Sequence, residues 1–98
     1  LEVRDGARNL HSAHRGIEAA ERRRLAAEEQ LRAERVRLEH GESTPFDVLQ
    51  RESDLVDAES QKIAALQLYR TSEAELLRAQ GTILEARKVA VEDVAPLR

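Results

Sequence analysis

Residues 41–49, Gly41-Glu42-Ser43-Thr44-Pro45-Phe46-Asp47-Val48-Leu49 (GESTPFDVL), separate two long, heavily charged runs. Gly41 accepts the left-handed conformation that ends a helix, which suits it to the position just past a C-terminus. Thr44-Pro45-Phe46-Asp47 reads as the start of the next helix: Thr44 caps it, Pro45 occupies the first turn where no amide donor is needed, and Asp47 stands at the third helical position. Only Glu42 and Ser43 are left for the bend. A connection that short returns the second helix antiparallel beside the first. The stretch therefore predicts an all-α fold, a long antiparallel two-helix coiled-coil hairpin with helix 3–40, a tip turn 41–44 and helix 45–90, Gly81 weakening the last turns. At 1.5 Å per residue each arm is roughly 55 to 60 Å long.

The heptad pattern of the two runs tests that reading. Steps of seven from Val3 give Leu10, Ile17, Arg24, Leu31 and Leu38, and the residues three places on, Gly6, Ala13, Ala20, Ala27 and Glu34, are mostly small. In an antiparallel hairpin, facing residues share a constant index sum. Leu38/Val48, Leu31/Leu55, Ile17/Tyr69, Leu10/Leu76 and Val3/Ile83 all sum to 86, while Ala27/Ala58, Ala20/Ala65, Ala13/Ser72 and Gly6/Ala79 all sum to 85. Layers of large side chains thus alternate with layers of small ones, which allows the backbones to approach closely. One layer breaks the rule by setting Arg24 against Lys62. Two cations are not buried together, so their heads are expected to reach outward to Glu21, Glu28 or Glu59. The pairs Glu18/Arg22, Glu28/Arg32 and Arg35/Glu39 have the spacing of ion pairs along one solvated helix face.

A second aliphatic stripe is not used by this seam. Leu49, Val56, Ile63, Leu77 and Leu84 recur at multiples of seven about 100° round from the first stripe, interrupted only by Arg70, and Ser12, Ala19, Ala26 and Ala33 form a small stripe on another face of helix one. Burying each of the five aliphatics stabilises by roughly 1.5 to 3 kcal/mol before ordering costs, so lateral contacts with further helices are expected, and with them self-association of the chain by itself.

Composition excludes several functions. Among 98 residues 36% are charged and only one Phe and one Tyr occur; the net charge of −3 mixes both signs, leaving neither a basic stripe for phosphates nor aromatics for stacking on bases. Nucleic acid is not an expected partner. With no Cys, disulfides and thiolate metal sites are excluded. The chain begins at Leu1 and contains no Met, and it is expected to be a segment of a larger protein. His11, His14 and Glu18 share a helix face, but no fourth ligand accompanies them and no metal site or other cofactor is expected. His40 suits the cation-favouring end of helix one. No nucleophile elbow, phosphate loop or zinc motif is present, so no enzymatic activity is expected. Tyr69 fits the seam beside Ile17. Two placements are open to Phe46: folded back over the end of the hairpin, or presented to an interface.

The segments LAAEEQLRAE (25–34), GESTPFDVLQ (41–50), LVDAES (55–60), ALQLY (65–69) and LLRAQGTIL (76–84) carry a resemblance. Together they resemble the second half of an outer-membrane efflux protein of the TolC family, over nearly the whole chain from about Val3 to Leu84. The resemblance implies one hairpin of the periplasmic α-barrel of a homotrimeric channel in the outer membrane of a Gram-negative bacterium. Its turn would be the periplasmic tip, docking a periplasmic adaptor (membrane fusion) protein that links the channel to an inner-membrane pump in tripartite efflux or type I secretion. Matching motif positions place Gly41, Ser43 and Thr44 in the adaptor-contacting tip, with Phe46 beside them. Asp47 matches the first of two acidic positions that narrow the closed pore in some members; Gln50 stands at the second, and Glu42 replaces the small or apolar residue that commonly follows the Gly. The alternative is a stand-alone antiparallel coiled coil that dimerises into a four-helix scaffold.

Overall fold

The computed structural model describes residues 2–94, with side-chain surroundings for residues 2–90, and consists of two helices, α1 (Glu2–Glu39) and α2 (Pro45–Val94). They form an all-α hairpin only 16 × 14 Å in cross-section. Rising 1.5 Å per residue, α2 is about 75 Å long and α1 about 57 Å, so the end of α2 overhangs the start of α1. Among the described residues no helix is long and apolar enough to cross a membrane.

The turn is built as its residues dictate. Gly41 has φ 74°, and the bonds around it close the end of α1: Gly41 N donates to Leu38 O at 3.0 Å and Glu42 N to Arg37 O at 2.8 Å. This pairing satisfies carbonyls that the last helical turn leaves without partners. His40 Nδ1 lies 2.8 Å from a third carbonyl, that of Val36. On the other side of the bend Thr44 Oγ1 accepts from Asp47 N at 3.1 Å, and Val48 N donates to Thr44 O at 3.1 Å, the first bond of α2. Helix α2 runs four residues beyond the expected end at 90. Gly81 does not stop it, because one glycine costs only about 1 kcal/mol against alanine in a helix flanked by good helix formers.

The seam follows the expected alternation. Ala13, Ala20, Ala27, Leu31, Glu34, Val48, Ala58 and Ser72 are buried, and the remaining layer residues from Val3 to Ala79 are half-buried, the exposed end falling at Ile83. Ala20 is completely covered. At Gly6 the helices come close together: a Cβ there would stand 3.0 Å from Leu76 Cδ1. Two helices alone cannot enclose large side chains fully, which is why alanine rather than leucine supplies most of the buried set.

In the Arg24/Lys62 layer both heads turn outward to carboxylates. Arg24 donates from Nε to Glu21 Oε1 at 2.8 Å and from Nη2 to Glu21 Oε2 at 2.9 Å, and its Nη1 reaches Glu28 Oε2 at 3.1 Å. Lys62 Nζ lies 2.9 Å from Glu21 Oε1. Two of the expected helix-face pairs rearrange: Glu18 stands 3.6 Å from His14, and Arg35 crosses the hairpin to Glu52 at 3.3 Å. Glu28 and Arg32 keep the expected pairing at 3.8 Å. Arg35 and Glu52 flank the seam on the same side, so the partner helix offers a carboxylate nearer than the next turn of α1 does. Tyr69 is half-buried in its layer, its ring edge-on to that of His14 with centroids 6.0 Å apart.

Candidate functional site: the hairpin tip and the outer face

The tip gathers a charged cluster around one buried carboxylate. Glu34 lies in the small-residue series of α1 yet is only 7% exposed. The index rule that pairs Ala27 with Ala58 pairs Glu34 with Arg51, and Arg51 Nε lies 3.5 Å from Glu34 Oε1. Ser43, in the bend, donates its hydroxyl to Glu34 Oε2, and Arg37 Nη1 approaches the same oxygen at 3.9 Å. The hydroxyl, and after it the two guanidinium groups, hold the Glu34 carboxyl below its ordinary range despite partial desolvation. The last small layer before the turn is thus an ion pair, and it ties both helices and the bend to one group.

Around this cluster a shallow hollow of about 300 Å³ is lined by Glu34, Arg37, Asp47, Gln50 and Arg51. The expected gate positions Asp47 and Gln50 therefore sit together at the tip. Gln50 Nε2 donates to Asp54 Oδ1 at 3.3 Å, and Arg51 Nη1 reaches the other oxygen of Asp54 at 3.3 Å. Gly41 and Thr44 are exposed at the bend and serve the caps, whereas Ser43 is half-buried and faces inward to Glu34. Phe46 is 72% exposed, so of its two placements the folded-back one is not adopted. Sequence reasoning passed over Glu34 and Arg51 as a pair; the signal that finds them is the index sum of 85 already obeyed by the alanines.

The second stripe lies open along the arm. Leu49, Val56, Ile63, Leu77 and Leu84 are 56 to 65% exposed, and Leu68 adds a further exposed aliphatic outside it. Isolated apolar residues on a surface are ordinary, whereas a heptad stripe broken only at Arg70 exposes an aligned row of aliphatics along most of a helix. Among the described residues no group of three or more side chains is placed to hold a metal ion.

This architecture defines a helical hairpin with one filled seam and one exposed aliphatic stripe. Compared with models of known protein families, with curated proteins and with solved structures, the chain matches none.

Proposed function

We propose that this hairpin is a wall segment of the periplasmic α-barrel of a trimeric, TolC-like outer-membrane efflux or secretion channel, with the tip docking a periplasmic adaptor protein. The observation that carries the reading is the open stripe Leu49, Val56, Ile63, Leu77 and Leu84, more than half exposed over most of α2. A hairpin in a barrel wall must touch a neighbour on each side, and a filled inner seam plus an outer aliphatic stripe supplies what that position needs. The tip adds the second element: an exposed Phe46 beside a turn whose shape is fixed from within by Glu34. In this reading Gly41, Ser43, Thr44 and Phe46 form the docking end, and Asp47 and Gln50 face the pore entrance.

The parent protein, expressed in Gram-negative cells and fractionated, is then expected in the outer membrane as a trimer. With a photo-crosslinking residue in place of Phe46, it is expected to capture its periplasmic adaptor when the cognate pump is present. Recovery of the parent in the soluble fraction would overturn the proposal. That outcome would favour the stand-alone scaffold, a reading supported by the seam's burying or half-burying its layers from Val3 to Ala79 without help from other helices.

A further inference from the structure

The open stripe of α2 is half of a second heptad seam. Three residues before or four after each of its large members stand Phe46, Ser53, Ser60, Gln67, Ala74 and Gly81, so that past Phe46 this outer face alternates large and mostly small residues as the inner one does. On α1 an outer face of matching kind carries Ser12, Ala19, Ala26 and Ala33, alternating with Asn9, Gly16, Arg23, Gln30 and Arg37. When a second hairpin stands beside the first with its tip at the same end, residues at equal height again sum to 86. Small then meets small: Ser53 with Ala33, Ser60 with Ala26, Ala74 with Ser12. The one break in the aliphatic stripe, Arg70, falls level with Gly16, where a Cβ would have nothing within 4 Å, so that the longest side chain of the face meets the deepest notch of the other.

We propose that a second copy of this chain occupies the outer face of α2, docking its α1 there through the Ser12/Ala19/Ala26/Ala33 stripe, side by side, tips aligned and without axial shift. Three observations select this occupant. First, a shift of one heptad in one direction places Arg70 against Arg23, two like charges, and a shift in either direction leaves an aliphatic over the Gly16 notch. Second, α1 carries nine arginines against eight carboxylates, whereas α2 carries six basic residues against ten carboxylates; α1 against α2 joins opposite net charges, and α2 against α2 would face two acidic helices with Glu52, Glu59 and Glu73 along the border. Third, long polar residues of the α1 face, Arg23, Gln30 and Arg37, can lay their methylene stems over Ile63, Val56 and Leu49 at the same heights while their heads stay in water. The contact is heterologous, each copy using a different face, so it continues from copy to copy until it closes into a ring or remains an open row. The inference does not rest on the channel reading, because a scaffold hairpin would carry the same two faces.

The test uses the 98-residue chain with single cysteines. Under mild oxidation, A26C mixed with S60C is expected to cross-link at least tenfold faster than either variant with itself, and faster than A26C mixed with S53C, which lies one heptad off level. Sedimentation of the cysteine-free chain is expected to show association that weakens with added salt. Ile63→Asp is expected to weaken it at least tenfold while helicity is retained. S60C cross-linking to itself as fast as to A26C would show α2 on α2 and overturn the proposal. Equal rates for A26C with S53C, or a monomer at every concentration, would overturn it too.

Discussion

Glu21 on α1 holds Lys62 on α2 across the seam, Oε1 to Nζ 2.9 Å, and the same oxygen accepts from Arg24 Nε at 2.8 Å. One carboxylate thus serves as counter-ion for both cations of the only doubly basic layer. Arg24's hydrogen bonds, followed by that of Lys62, draw the Glu21 carboxyl down from 4.5 to about 2, and the Arg24 guanidinium is correspondingly held in its charged form. The folded-state value lies below the unfolded one, so the unfolded chain binds the proton more readily. The stabilisation is therefore complete above about 4.5 and is lost as pH falls toward about 2. Thermal melts followed by circular dichroism are expected to show a midpoint that drops across that window. Glu21→Gln is expected to lower the midpoint at neutral pH, since it leaves Arg24 and Lys62 without their shared anion, and to flatten the acid limb. An unchanged acid limb in that variant would assign the acid sensitivity to other carboxylates.

The turn yields a second prediction. Ser43 is the bend residue that capping does not require, and its hydroxyl donates to the buried Glu34. Removing a hydrogen bond to a charged acceptor costs about 1.5 to 3 kcal/mol, and removing a helix N-cap about 1 kcal/mol. Ser43→Ala is therefore expected to destabilise at least as much as Thr44→Ala, whose hydroxyl caps α2 by accepting from Asp47 N. Urea denaturation at pH 7 measures both. A double-mutant cycle with Glu34→Gln separates the two origins: the Ser43 effect should shrink strongly in the Glu34→Gln background, whereas the Thr44 effect should remain additive.

The difference between what the sequence shows and what it conceals follows from range. The seam is legible because one period and two neighbouring index sums, 86 for the large layers and 85 for the small ones, govern it from Val3 to Ile83, and every layer repeats the same test. The caps are legible because Gly41, Thr44 and Pro45 act on backbone within a few residues of themselves. Glu34 was hidden although its partner Arg51 obeys the rule of the small layers, because a carboxylate in an alanine series reads as an exception to packing rather than as a pair. The Ser43 bond to Glu34 spans nine residues and depends on how the bend folds back, which no periodicity describes. Arg35 similarly chooses Glu52 over Glu39, since side chains flanking an antiparallel seam lie nearer one another than the spacing along one helix suggests. The 72% exposure of Phe46 likewise depends on how the bend folds, because its place in the first turn of α2 is compatible with two positions.

Small layers set the distance between the helices, and this can be measured by filling one. Ala20 is fully covered, and the index rule sets it against the half-buried Ala65. Ala20→Leu forces four heavy atoms less one into a layer with no room, so the helices must separate locally or the side chain leave its rotamer, at about 1 to 3 kcal/mol. Leucine's stronger burial does not offset this, because the neighbouring Ile17 and Arg24 layers would lose contact as the backbones part. Ala26→Leu, on the outer face of the same helix, is expected to leave the unfolding midpoint within about 0.5 kcal/mol of the parent under monomeric conditions. Equal destabilisation by the two substitutions would mean that the alanines do not determine the spacing.

Three glycines separate backbone strain from helix propensity. Gly41 has φ 74°, a conformation that costs a side-chain-bearing residue roughly 1 to 2 kcal/mol, so Gly41→Ala is expected to destabilise by about 1 kcal/mol although a Cβ there meets nothing within 4 Å. Gly16 lies within α1 in ordinary helical conformation, again with nothing within 4 Å of the added atom. Gly16→Ala should therefore gain most of the alanine advantage, about 0.5 to 1 kcal/mol, measured on the monomer at low concentration. Gly6 stands between them: its Cβ would press Leu76 Cδ1 at 3.0 Å, tighter than ordinary contact, but the atom met is the movable end of a flexible side chain. Gly6→Ala is expected to retain only part of the gain seen at Gly16. Removing the obstruction with Leu76→Val should restore the gain at Gly6, so that Gly6→Ala measured in the Leu76→Val background approaches the Gly16→Ala value. If it does not, the close approach at this layer lies between the backbones themselves rather than at the leucine side chain.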